Sequence, residues 1–287
     1  MTHVTPADSI PPYFDMLFTR LDNDDPAARV AFGRHVHWGC WDDPDRADGT
    51  PEDYARAAEA MCGRVCNAAD IRDGSRLLDV GCGLGGTIAS LNEHFDRLDM
   101  TGVNIDGRQL VRARRAVQPR ADNRIQFVEA DACALPFADS SFDVVLAVEC
   151  VFHFPSRARF LAEAQRVLKP GGRLALSDFV PTEEAVGILR QMNPGASAAT
   201  QKTYGHVDLM CSLQLYTKLA GSAGLQVDRH VDLTPNTLPT YPFLRGYFRQ
   251  WHNPAEARVF EKATGQLEMA SQMGWLRYTV LGFQKAA

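Results

Sequence analysis

The stretch Leu77-Leu78-Asp79-Val80-Gly81-Cys82-Gly83-Leu84-Gly85-Gly86 decides how the chain is read. Arg76 to Val80 form an apolar run with one acid near its end, the pattern of a buried strand. Gly81, Gly83 and Gly85 then alternate through a turn, and Thr87 to Phe95 continue as a helix. A turn this tight uses backbone angles open mainly to glycine. Without side chains its backbone can lie directly against a ligand, and the helix start offers free N–H groups. A glycine pattern alone is shared by many nucleotide-binding folds. Asp79, two residues before the first glycine, narrows it, because a dinucleotide oxidoreductase more often has only apolar residues and glycine there.

Working outward from this stretch, strands and helices alternate. Strands are expected at Asp99–Asn104, Ile125–Glu129, Phe142–Val148, Arg173–Phe179, Leu225–Val231 and Trp275–Phe283. Helices are expected from Gly107 to Val117, from Pro155 and Ser156 to Leu168, and from Ser212 to Ala223, with Lys169-Pro170-Gly171-Gly172 as a helix stop and turn. Such alternation builds a mostly parallel sheet with helices on both faces.

Residues 1–69 precede this pattern and read as a helical cap. Tyr13 to Phe18 place Phe14, Leu17 and Phe18 on one face of a short helix. His35-Val36-His37-Trp38-Gly39-Cys40-Trp41 is too aromatic for a solvated loop, and Asp42-Asp43-Pro44-Asp45 breaks the chain. Thr50-Pro51-Glu52-Asp53 is a helix start, with a cap, a first-turn proline and acids at the positive end. That helix should reach Ala68 with Tyr54, Ala58, Met61 and Val65 inward. Within 70–287, residues 182–210 and 236–273 break the alternation and are expected to be lids or substrate walls, the second with helical segments at 237–251 and 254–273.

The bulk properties bound the function. The chain has 287 residues, 45% hydrophobic and 23% charged, enough for a sizeable core. A net charge of −5 without a basic block argues against nucleic acid. No apolar run reaches the length of a membrane span. Met1-Thr2-His3-Val4-Thr5-Pro6 lacks the regions of a signal peptide, and the seven scattered cysteines read as reduced thiols, so a cytoplasmic protein is expected. Pairing of copies through the cap is open.

Ligands in an open parallel sheet lie beyond the carboxyl ends of the strands, where the strand order reverses. This gathers Asp79, Gly81 and Gly83, the end at Gly102-Val103-Asn104-Ile105-Asp106, Asp131-Ala132, and Glu149-Cys150-Val151-Phe152-His153. A side chain after the second strand can bond ribose hydroxyls, Asp131 can accept from an adenine amino group, and Ile105 and Ala132 can flank the ring.

LLDVGCGLGG, GVNID, DACALPFADSSFDVV and LKPGG resemble, in order and spacing, the motifs of class I S-adenosylmethionine-dependent methyltransferases over residues 70–180. The likeness is nearest to bacterial small-molecule enzymes, the rebeccamycin-type sugar O-methyltransferases and the sterol, tocopherol and isoprenoid C-methyltransferases. It implies a Rossmann-like, seven-stranded α/β domain in which Gly81, Gly83, Asn104, Gln109, Asp131 and Ala132 contact S-adenosylmethionine. HWGCW resembles a segment that closes over the cofactor in such enzymes, which brings Trp38 into the cofactor set. Many members carry an acid where this chain has Asn104, which cannot accept from both ribose hydroxyls as a carboxylate can. Asp106 is a second ribose candidate, although its neighbouring position should point it away.

Methyl transfer needs positioning and, for an alcohol or carbon acceptor, a base. His153 and Asp178 end adjacent strands and are the candidate pair; in the rebeccamycin-type family a histidine and an aspartate at matching positions of LESLHHMPD and ADF have this role. The first histidine of that family's motif is Phe152 here. His153 is also compatible with a capping role and Asp178 with a structural one. Glu149 is read as holding the loop or the cofactor's amino group, and His206 as a minor candidate from the lid. His35 and His37 lack a third ligand for a metal. Tyr241 to Trp251 could wall an apolar pocket or simply pack in a core; Arg245 and Arg249 could hold an anion or form a solvated face. A hydroxyl acceptor is expected, with carbon methylation of an isoprenoid or aromatic as the alternative and nicotinamide chemistry less favoured.

Overall fold

The computed structural model describes residues 10–192, 198–250 and 254–287. The amino-terminal hexapeptide, Trp251 and the middle of the 182–210 stretch therefore lie outside the described residues. Seven strands form one sheet: β1 (Arg76–Val80), β2 (Asp99–Asn104), β3 (Arg124–Glu129), β4 (Phe142–Val148), β5 (Leu168–Pro181), β6 (Leu225–Asp232) and β7 (Leu276–Lys285). Their order is β3-β2-β1-β4-β5-β7-β6, with β1 to β5 parallel and β7 antiparallel to both neighbours. The order reverses between β1 and β4, and their carboxyl ends open the crevice expected at such a switch point.

Strand alternation assigns the two faces. Leu78 and Val80 join Val145, Ala147, Leu174 and Leu176 under helices α6 (Arg157–Val167) and α9 (Leu213–Ala223). Leu77, Met100 and Leu146 turn to the other face, under α3 (Pro51–Ala68), α4 (Gly86–His94) and α5 (Gly107–Ala116). The α3 start is as read: the Thr50 hydroxyl accepts from the Asp53 N–H at 3.2 Å, and Tyr54, Ala58, Met61 and Val65 are buried.

The segment before β1 and the stretches after β5 and β6 share the second core. Helix α1 (Tyr13–Asp22) buries Phe14, Leu17 and Phe18 as expected. It is followed by α2 (Pro26–Phe32), which the sequence reading passed over although Asp25 caps it and Pro26 opens it. Residues 182–210, read as aperiodic, hold two short helices, α7 (Val186–Met192) and α8 (Ala198–Tyr204). Helices α10 (Thr234–Thr237), α11 (Thr240–Phe248) and α12 (Pro254–Gln272) lie between β6 and β7. The stop at Lys169–Gly172 is corrected: Leu168 already pairs with Phe142, and Gly171 (φ 73°) and a register shift carry the turn as an irregularity inside β5.

Candidate active site

A crevice of about 810 Å³ runs across the ends of β1, β2, β3 and β4. Its floor is backbone. Gly81, Gly83 and Gly85 have φ of 70°, 55° and 84°, in the left-handed region. A Cβ on Gly81 would sit 2.7 Å from the Cys150 Cβ, so no side chain fits there. Asn104, Ile105, Asp106, Gln109, Asp131 and Ala132 border the crevice. The Asn104 Oδ1 accepts the Asp106 N–H at 3.0 Å, and its Nδ2 donates to Gln109 Oε1 at 3.3 Å. Asp106 does not point away: its carboxylate caps α5 through the Arg108 N–H at 3.0 Å and stays on the crevice wall. An open backbone cradle flanked by amide and carboxylate groups fits an adenosine-bearing ligand, with hydroxyls for the one and an amino group for the other.

A second, apolar cavity of about 70 Å³ lies above the first. Trp38, Phe152, Phe179, Tyr204, Leu244 and Tyr247 are among its walls, drawn from cap, core and lids. Tyr13, Val36, His37, Glu149 and His153 border both cavities, so these residues mark the junction where a group would pass between ligands.

Two junction side chains are held firmly. Glu149 ends β4 with φ 51°, a strained angle for a residue with a side chain. Its N–H donates to Ser177 Oγ at 3.0 Å; its Oε2 accepts from the Trp38 N–H at 2.8 Å and from the Tyr278 hydroxyl. Burial pushes the carboxyl up to about 8, against those hydrogen bonds. The ring of His153 lies 2.9 Å from the His206 carbonyl through Nδ1, which must therefore carry the proton. Nε2 is left with the lone pair. Burial holds this imidazole down at about 4, so it is neutral near neutral pH.

A family model described as a methyltransferase domain matches residues 78–176. The 27-O-demethylrifamycin SV methyltransferase of Amycolatopsis mediterranei is 34% identical over 260 residues, 88% of this chain and 91% of that protein. The chain belongs to the S-adenosylmethionine-dependent small-molecule methyltransferases. The fold is shared more widely. The [4+2]-cyclase SpnF has a TM-score of 0.70 at 24% identity, covering 94% of this chain and 93% of its own. A geranyl diphosphate C-methyltransferase from Streptomyces coelicolor, solved with S-adenosyl-L-homocysteine, has a TM-score of 0.67 at 19% identity, covering 96% and 98%. The cofactor of this methyltransferase is S-adenosylmethionine, and it methylates small molecules.

The methyltransferase brings Gly81, Gly83, Asn104, Ile105, Gln109, Asp131, Ala132, Glu149 and His153 to the crevice. Three other candidates lie elsewhere. Trp38 walls the apolar cavity and reaches the crevice only through the backbone bond to Glu149. Asp79 is 1% exposed beneath the turn, its Oδ2 has no hydrogen-bond partner, and burial pushes it up to about 8. Asp178 is not the partner of His153. Its Oδ2 accepts from Arg157 Nη2 at 3.0 Å and from the Tyr216 hydroxyl, on the sheet face opposite to Ser177 and Phe179. Strand alternation is the reason: neighbours on β5 cannot share a face. Burial raises this carboxyl while Arg157 and Tyr216 oppose it.

Asp178 is nevertheless linked to the turn bearing His153 through Arg157 and Asp208. Arg157 spans from Asp178 to the Asp208 side chain and, at 2.6 Å, the Asp208 carbonyl. The Asp208 N–H donates to the Phe152 carbonyl at 2.9 Å. This stitches the loop bearing His206 to the turn bearing His153, so His206 serves through its carbonyl. Arg245 and Arg249 are ion-paired to Glu268 and, at 2.5 Å, Glu261. In the aromatic stretch, Leu244, Tyr247 and Phe248 wall the cavity while Tyr241 and Phe243 pack in the core. Among the described residues no cluster of metal ligands exists, and no helix is long and apolar enough to cross a membrane. The reading of the sequence missed Tyr13, Val36 and His37 at the junction, and Tyr278, whose hydroxyl bonds Glu149; only the aromatic density of HVHWGCW hinted at the 36–37 pair.

Proposed function

We propose that this enzyme methylates a hydroxyl oxygen of a largely apolar natural product, with His153 as general base and the residues 1–69 and 182–210 and 236–273 as cap and lids over a 70–287 catalytic domain. The carrying observation is the position of His153 on both cavities with Nδ1 tied to the His206 carbonyl. That bond aims the basic Nε2 and fixes the tautomer. Bound S-adenosylmethionine supplies an electrophilic methyl group on sulfur. His153 accepts the acceptor's proton as the new bond forms; an oxygen gaining a methyl becomes acidic enough that a weak base suffices. Trp38, Phe179 and Tyr247 exclude water and bind the apolar body of the acceptor. A cavity of about 70 Å³ is far below ordinary ligand pockets of about 300–1,000 Å³, so the acceptor enters by parting α1, α11 and α12.

Carbon methylation is the second reading, supported by the aromatic walls and by the Glu149 carboxyl at the same junction. The pH dependence of kcat/KM separates them. A base must be unprotonated, so activity falls as pH drops through the base's own pKa. A limb near 4 marks His153 and one near 8 marks Glu149. NMR of product made with carbon-labelled methyl donor then assigns the methyl to oxygen or to carbon.

A further inference from the structure

His35 and His37 border the crevice, and the hydrogen-bonding capacity of their rings fixes their charge. Four ring nitrogens stand in line between two groups that only accept. The Trp38 carbonyl lies 3.0 Å from His37 Nδ1, His37 Nε2 lies 3.1 Å from His35 Nδ1, and His35 Nε2 lies 2.8 Å from Glu59 Oε2. Glu59 is ionised: burial opposes this, but hydrogen bonds from His35 and Ser90 and the nearby Arg34 hold its carboxyl at about 2. A carbonyl and a carboxylate each need an N–H facing them, so His37 Nδ1 and His35 Nε2 both carry protons. The central contact needs one more between the remaining nitrogens. Two neutral imidazoles bring two protons; this chain of contacts takes three.

We propose that His35 and His37 together hold three ring protons and a single positive charge, and that this charge is the counter-ion for the carboxylate of the cofactor's amino-acid portion. The proposal rests on the cofactor assignment above. A second charge is refused, because burial and the charge on His35 push His37 down to about 3.

Glu59 pairs with this charge, but Arg34, His35 and His37 border the crevice and Glu59 and Glu93 do not, so the positive end of the array faces it. From α3, Glu59 faces the pair; from α4, the Ser90 hydroxyl bonds Glu59 and the His94 ring bonds the Ser90 carbonyl. Arg34 Nε lies 2.9 Å from Glu59 Oε2, and its other nitrogens take both oxygens of Glu93 at 2.8 and 2.9 Å. Glu149 approaches only through the Trp38 N–H. The His35 ring is seated on Gly86, the first residue of α4, where a Cβ would lie 2.6 Å from Nδ1. Cation and helix start thus meet on one wall with Gly83 and Thr87, a setting for an anion. Asn104, Asp106, Gln109 and Asp131, from the ends of β2 and β3, suit uncharged hydroxyl and amino groups instead.

Calorimetric titration of the full chain tests this with S-adenosylhomocysteine and with decarboxylated S-adenosylhomocysteine, which keeps the amine. His35→Gln and Glu59→Gln should each weaken the first ligand by about tenfold or more and the second by less than about twofold. Equal weakening of both ligands, or of neither, overturns the proposal. Should both variants fail to fold, nitrogen NMR of the wild-type imidazoles decides: three protonated nitrogens in the pair near neutral pH support it, and two overturn it. Wild-type protein that binds neither ligand breaks the cofactor assignment itself, a distinct result.

Discussion

The two cavities are built by opposite means. The cofactor crevice takes its floor and most of its polar groups from the ends of four neighbouring strands, each followed by a short turn. The apolar cavity takes its walls from α1, the 36–38 segment, α8, α11 and α12, brought together only by packing. Backbone register and steric fit hold the first; the second is held by ion pairs and aromatic contacts between remote segments, such as Tyr54 stacked on Phe243 at 4.1 Å and Trp38 edge-on to Phe179 at 5.4 Å. On the function proposed above, the crevice is the cofactor half and the apolar cavity the acceptor half.

The sharpest break in that contrast should come from Asp178. Its replacement by Ala leaves Arg157 charged and buried without its main partner, which costs about 3–5 kcal/mol, measured by urea unfolding. The loop at Asp208 should loosen with it, raising KM for the acceptor more than for S-adenosylmethionine. If acceptor and cofactor KM move together, the separation of the two halves fails.

At the junction, His153→Gln should lower kcat by about 10²–10³-fold, the ordinary worth of a positioned base, and leave S-adenosylhomocysteine affinity unchanged by calorimetry. The wild-type kcat/KM should hold steady from near-neutral pH downward and fall only around pH 4, where the imidazole takes its proton. An unaltered kcat in the variant would remove His153 from the chemistry.

Gly81→Ala tests the floor. A left-handed angle and a clash with Cys150 together should cost about 2–3 kcal/mol, read as weakened cofactor binding and a lower unfolding midpoint. The smallest effect joins the halves. Arg108 and Arg112 on α5 hold α1 through Asp15 at 2.6 Å and Asp22 at 2.7 Å, in pairs open to solvent. Arg112→Ala should cost less than about 1 kcal/mol and should lessen any rise of cofactor KM with added salt, the Arg108–Asp15 pair carrying the remainder.

Most of the residues that border the crevice were legible because their placement is local. A strand, a glycine turn and a helix follow each other within one short stretch, and the residues after β2, β3 and β4 need only the sheet to gather them. Asp79 and Asp178 misled for one reason: being at a strand end does not say which face a side chain takes, and Asp178 is one residue out of phase with the site. Trp38 lines the neighbouring cavity, while its backbone N–H is taken by Glu149.

The sequence by itself therefore determined the fold, the cofactor and which residues stand at the strand ends, since periodicity and glycine conformations act over a few residues. Tertiary structure alone decided which side chains meet. It set Glu149 and His153 on the shared boundary, tied Asp178 through Arg157 to the loop at Asp208, and lined up two histidines between a carbonyl and a carboxylate. Those outcomes depend on contacts between residues far apart in the chain, and no local pattern encodes them.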